Sequence, residues 1–208
     1  RSDDYNGAVQ EGVSYFQRTI HKGRRMSAAR AFLAPARGRA NLEIRTEASV
    51  SRILFEGRQA TGVRYTRGNL QTEIRARSEV ILCGGAIASP QLLQISGIGN
   101  PELLREINVS LTHALPGVGE NLSDHYGVRL AARVRNARTL NERTRGLSLA
   151  GEVAKYLLFR KGVLSQSPGV ALALCKSRPV LEHPDLQVIF APASYKEDAA
   201  YQLDDFPG

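Results

Sequence analysis

Between Asn41 and Ala76 apolar side chains recur at about every second position, the period of a strand whose two faces meet different surroundings. Residues 42–46 predict one short strand and residues 49–55 a second. Glu56-Gly57-Arg58 turns the chain into a third at 60–66, and Arg67-Gly68-Asn69 turns it again into 70–76. Val63 and Tyr65, then Leu70, Thr72 and Ile74, alternate with polar neighbours, so the meander is expected to keep one wet face. Val80-Ile81-Leu82 breaks the alternation. An unbroken apolar run of this kind predicts a strand buried on both faces. The period then changes to that of helices. Ser89 reads as an N-cap, Pro90 as the first helical position and Gly97 as the stop, and Asn100-Pro101 repeats the start signal for residues 102–108.

The flanks are mixed in the same way. Residues 12–20 combine aromatic and β-branched side chains and predict a strand. Ser27 is an N-cap for a short helix at 28–33, with Pro35 as its stop. Leu149, Ala150, Val153, Ala154, Leu157 and Leu158 fall on one helical stripe ended by Gly162, and residues 185–192 predict a last strand. Strands interleaved with short capped helices, without internal repeats, indicate an α/β (mixed α+β) class.

Composition narrows this little. A chain of 208 residues with 42% apolar and 23% charged residues suits one globular domain or two small ones. No apolar run approaches the roughly 18 to 20 residues of a membrane span. The opening Arg1-Ser2-Asp3-Asp4-Tyr5 lacks both Met and a signal-type apolar region, so the sequence is expected to be an internal piece of a longer protein. The net charge of +8 raises a nucleic-acid reading, but the cations are spread out. Their only dense cluster, Lys22-Gly23-Arg24-Arg25, has no stacking aromatics, helix-turn-helix or zinc spacing beside it. Cys83 and Cys175 are isolated, which favours a reduced, cytoplasmic protein. No His, Cys or carboxylate grouping has metal-ligand spacing.

Candidate chemistry gathers where residues 80–82 run into Gly84-Gly85 and a helix start. Glycines let a bulky ligand approach the backbone, and a helix N-terminus offers unpaired N–H groups, although such a junction also serves plain packing. The following Gly85-Ala86-Ile87-Ala88-Ser89-Pro90-Gln91-Leu92-Leu93-Gln94-Ile95-Ser96-Gly97-Ile98-Gly99 closely resembles the second signature of the glucose–methanol–choline (GMC) oxidoreductases. Gly23-Arg24-Arg25-Met26-Ser27, Arg52-Ile53-Leu54-Phe55-Glu56-Gly57 and Leu115-Pro116-Gly117-Val118-Gly119-Glu120-Asn121 are similar to that family in the same order. The resemblance covers roughly residues 4–125 and is weaker beyond.

That resemblance implies an FAD enzyme oxidising an alcohol to a carbonyl compound by hydride transfer to the flavin. Val50, after Thr46 and Ala48, takes the family's place at the adenine. Gly84, Gly85 and Ala86 line the cofactor, and Ser89 caps the adjoining helix. Residues 41–125 would form part of the FAD-binding domain, with 1–40 as a connecting segment of the substrate domain and 126–208 as more of that domain. The family's amino-terminal Gly-x-Gly-x-x-Gly turn and its catalytic histidine have no counterpart here, so no residue is assigned as catalytic and the chain alone is expected to be inactive and to associate through exposed apolar surface. His21, His113, His125 and His183 do not occupy the catalytic motif, and Cys83 is expected to be packing rather than a nucleophile. Choline-oxidising members carry a Glu at or beside the position of Val170 in this chain, which points to an uncharged alcohol. Electron acceptor and homo-oligomerisation stay open, as does a non-catalytic binding module built on the same fold.

Overall fold

The computed structural model of the chain describes residues 1–196 and 202–205. Packing separates two units, one made of residues 1–39 with 128–208 and the other of residues 40–127.

The first unit begins with β1 (Gly12–Tyr15), shorter than the strand expected over 12–20. The chain leaves the ladder after Phe16 and folds into a small hairpin, β2 (Ile20–His21) and β3 (Arg24–Arg25). Lys22 and Gly23 form its tip, both with positive φ, which Gly23 adopts without strain. Ser27 accepts the Arg30 N–H through Oγ at 3.3 Å, the capping role its position predicted. The helix it starts is a π-helical turn (Ala29–Leu33) running into α1 (Ala34–Ala36). Pro35 therefore lies inside the helical segment, at the opening of α1, and does not stop it.

The second unit holds the meander. β4 (Ser49–Glu56), β5 (Gln59–Arg67) and β6 (Leu70–Arg75) form an antiparallel sheet in that order, with Gly57 and Gly68 at positive φ in the two turns. The inner face carries Ile53, Val63 and Ile74, which the register places in one row, and Tyr65, two positions on from Val63, opposite Val50 and Thr72. Helix α2 (Gly85–Ile95) packs on β4; β7 (Ile98–Gly99), α3 (Pro101–Glu106) and β8 (His113–Ala114) follow, β7 and β8 pairing in parallel. Asn100 caps α3 as expected, accepting the Glu102 N–H at 2.9 Å.

Two expected strands are absent. Residues 42–46 are irregular: Arg45 leaves the strand pattern to pair with Glu43 and with the Tyr65 hydroxyl. Residues 80–82 also have no strand partner, and Ile81 is 71% exposed. A doubly buried strand exists only if neighbouring strands take its backbone groups, and none among the described residues lies alongside.

The remainder of the first unit contains α4 (Leu140–Arg143), α5 (Gly146–Phe159), a 3₁₀ turn (Val163–Ser165), β9 (Ala171–Cys175) and β10 (Leu186–Phe190). β9 is the centre of an antiparallel β1-β9-β10 sheet, and Leu172 on it is fully packed. Buried Asn141 fastens α4 to the chain beyond β10 by exchanging hydrogen bonds with Ser194.

Candidate functional site

Within the second unit a cavity of about 650 Å³ lies between the meander, α2 and the run at 79–84. Three of the five residues picked from the sequence line it. Val50 contributes from β4, Gly84 and Ser89 from the start of α2. Gly85 and Ala86 form the first turn of the helix without lining the cavity.

Local structure explains how these positions are presented. Between Val50 and Arg52 the pairing of β4 with β5 slips by one residue, leaving Ser51 as the extra residue of a β-bulge. A bulge bends the strand and re-aims the side chain beside it; Val50 stays partly exposed at the cavity wall. The helix starts five residues earlier than Ser89-Pro90 predicted, at Gly85, with Gly84 as its N-cap. Ser89 is thus no N-cap. It sits one turn inside and accepts the Gly84 N–H through Oγ at 3.0 Å, closing the turn from within. Pro90 lies in the helix interior and leaves the Ala86 carbonyl without its usual donor. A Cβ on Gly84 would come within 3.2 Å of the Ser89 nitrogen and hydroxyl and press on the turn, and Gly85 has φ +79, a conformation that glycine adopts without strain.

The lining is suited to a flat heteroaromatic group. Val50, Val63, Ile74, Leu92 and Ile95 provide apolar wall, and the first-turn amides of α2 lack intrahelical acceptors and carry the positive end of the helix dipole. Arg75 at the rim is already committed to Glu56 at 2.8 Å. These residues fit an adenine-bearing, anionic dinucleotide. No histidine lines the cavity: His113 stands beside Arg58 at 3.4 Å, while His21, His125 and His183 are exposed. The backbone N–H of His125 donates to Asp124 Oδ1 at 2.7 Å, so that carboxylate is engaged by the main chain. Cys83 lines the cavity wall, and no His, Cys, Asp or Glu group able to hold a metal occurs among the described residues. Val170 extends β9, donating to Phe190 O at 2.9 Å and accepting from the Phe16 N–H at 3.1 Å.

Two positions without obvious sequence signals prove central. Ser96, fully buried, accepts the Ile53 N–H at 2.8 Å and donates to Leu92 O at 2.6 Å, locking α2 onto β4. Its neighbour Gly97 has φ +92, and a Cβ there would lie 2.4 Å from Ser110 O. In the other unit Glu152, 5% exposed, accepts from Arg143 at 2.7 Å, from Lys155 at 3.3 Å and from the Val163 N–H at 3.1 Å. The Arg143 hydrogen bond, followed by the Val163 amide, holds its carboxyl down at about 2. A Glu opposite an apolar helical stripe looks solvent-facing in sequence; only the return of the chain at Gly162 reveals its partners.

The family model for GMC oxidoreductases matches residues 1–127. An oxygen-dependent choline dehydrogenase of Ectopseudomonas mendocina (strain ymp) is 44% identical over 197 residues, covering 93% of this chain and 35% of the relative. An FAD-dependent oxidoreductase from Chaetomium thermophilum superposes with a TM-score of 0.67 at 28% identity, over 79% of this chain and 30% of that one. A formate oxidase gives 0.69 at 25% identity, over 75% and 27%. The chain therefore spans about a third of the length of the curated relatives it matches. With more than half its length under one family model and its fold shared with FAD-dependent enzymes, the chain belongs to the GMC oxidoreductase family.

Proposed function

We propose that the chain is part of an FAD-dependent oxidoreductase acting on the CH–OH group of an alcohol. The observation that carries this is the meeting of two separate motifs, Val50 on its bulge and the Gly84–Ser89 turn, around one apolar cavity. Val50 packs against the adenine. Gly84, Gly85 and Ala86 allow the dinucleotide to lie close to the backbone, and Ser89 keeps that turn closed. FAD, when bound, supplies the hydride acceptor. In this reading residues 41–125 serve the cofactor, and 1–40 with 126–208 serve the substrate.

Val170 and its strand bring no negative charge to the substrate side, so a neutral alcohol is the expected substrate despite the choline-oxidising relative. A quaternary ammonium group is held by carboxylates or aromatic faces, and a valine offers neither. The test uses the full-length protein. Val50→Trp would fill the cavity and Gly85→Val would force a strained turn, and both are expected to purify with little flavin absorbance while unfolding cooperatively. Wild-type flavin content in both variants would end the site assignment. Anaerobic addition of a neutral alcohol should bleach the wild-type flavin and choline should not. A flavin that no alcohol bleaches would indicate the non-catalytic module instead.

A further inference from the structure

Two residues outside the cavity hold the piece of chain that forms its Val50 wall. Ahead of β4 the backbone is irregular, yet Arg45 is fastened. Its Nη1 donates to the Tyr65 hydroxyl at 2.5 Å and its Nε to Glu43 at 2.6 Å. The guanidinium carbon also stands over the Tyr65 ring, 5.7 Å from its centre. Tyr65 is 7% exposed and lies two positions from Val63, a cavity residue on the same face of β5. Its cross-strand partner is Val50.

Tyr65 therefore secures the segment 45–50 at both ends, Val50 through the ladder and Arg45 through the phenol. What lies between needs such support. Glu47 has φ +56, a left-handed conformation that a residue with a side chain keeps only where its surroundings impose it. The ladder alone gives little, because the bulge at Ser51 separates the Ser49–Thr66 and Val50–Tyr65 pairs from the rest of β4. Ser49 and Val50 end this segment and line the cavity, whereas Arg45 and Tyr65 do not.

We propose that the Arg45–Tyr65 contact positions the adenine end of the cofactor by holding residues 46–50 in their binding conformation. This rests on the reading of the cavity as the FAD site. Both are positioning residues that act through Ser49 and Val50. A segment ordered in advance binds more tightly than one that must order as the ligand arrives. The test uses the full-length protein stripped of flavin and titrated with FAD, as wild type, Tyr65→Phe, Arg45→Met and the double variant. Each single variant should raise the FAD Kd by about tenfold, the order expected for one hydrogen bond to a charged group. The melting temperature of the flavin-free protein should stay at the wild-type value. The double variant should bind no worse than either single one, since both remove the same contact. Tyr65→Phe keeps the Arg45 charge, so its weaker binding separates positioning from attraction between the guanidinium and the FAD phosphates. Wild-type affinity in both single variants overturns the proposal, as do losses that add in the double variant. A lower melting temperature with unchanged Kd would mark the contact as purely structural and overturn it too. If Val50→Trp loses its flavin while Tyr65→Phe binds FAD normally, this inference alone fails; a Val50→Trp that keeps its flavin removes the site reading beneath it. If Arg45→Met fails to fold, Tyr65→Phe, which keeps the buried ring, decides.

Discussion

At the scale of single residues, the molecule is governed by a few polar atoms placed where no water can replace them. The Ser96 hydroxyl serves the β4 amide of Ile53 and the α2 carbonyl of Leu92 at once. Ser96→Ala should destabilise the second unit by about 1–3 kcal/mol, the consequence of leaving a buried amide unpaired, which a shift in urea midpoint would report. Gly97→Ala should be worse, since it combines a positive φ with a Cβ pressed against Ser110 O, and is expected to give insoluble protein. Glu152 yields a pH dependence of definite sign. Its carboxyl titrates at about 2 in the fold against an ordinary value of 4.5, so the stabilisation is complete above 4.5 and disappears as pH falls towards 2. Glu152→Gln should therefore lower the urea midpoint near neutral pH, and the gap to wild type should close through that window. A gap that stays constant would show that the charge does not matter.

Elements differ in how plainly the sequence announces them. The meander was legible because its signals are local: strict alternation, glycines in both turns, and Asn100 before Pro101 to open α3. The start of α2 was not, because Ser89-Pro90 carries every mark of a helix N-terminus, yet Gly84-Gly85 can begin the helix earlier and use the Ser89 hydroxyl from inside. The run at 80–82 failed for a different reason. Its composition describes a strand among neighbours, and secondary structure that depends on partners cannot be read from the segment alone. The candidate cavity divides along the same line. Val50, Gly84 and Ser89 were found through motifs, whereas the bulge that turns Val50 and the role of Ser96 depend on contacts between distant segments. An element-level test follows from Pro90. Pro90→Ala restores a donor for the Ala86 carbonyl and removes a helix-interior proline, so it should raise the melting temperature while flavin content stays at the wild-type level.

At the scale of the whole molecule, a large share of apolar surface is uncovered. Val13, Tyr15, Val188 and Phe190 flank Ala171 and Ala173 of β9 on one face of the β1-β9-β10 sheet, and all four are exposed. Patches of this kind on isolated chains associate, so residues 1–208 expressed alone should sediment as concentration-dependent oligomers; a monodisperse monomer with a sharp thermal transition would contradict this. The two units also differ in how they are threaded. The second is one continuous stretch, while the first is assembled from both sides of it. Gly12 pairs with Leu174, so β1 leaves the ribosome 174 − 12 = 162 residues before its partner strand. At about 5–20 residues per second, the nascent β1 waits roughly ten to thirty seconds with its edge open, while residues 40–127 can already be folded. Chaperone demand during synthesis should therefore be concentrated on residues 1–39, and shortening that delay by synonymous codon choice should raise the soluble yield without altering a single contact.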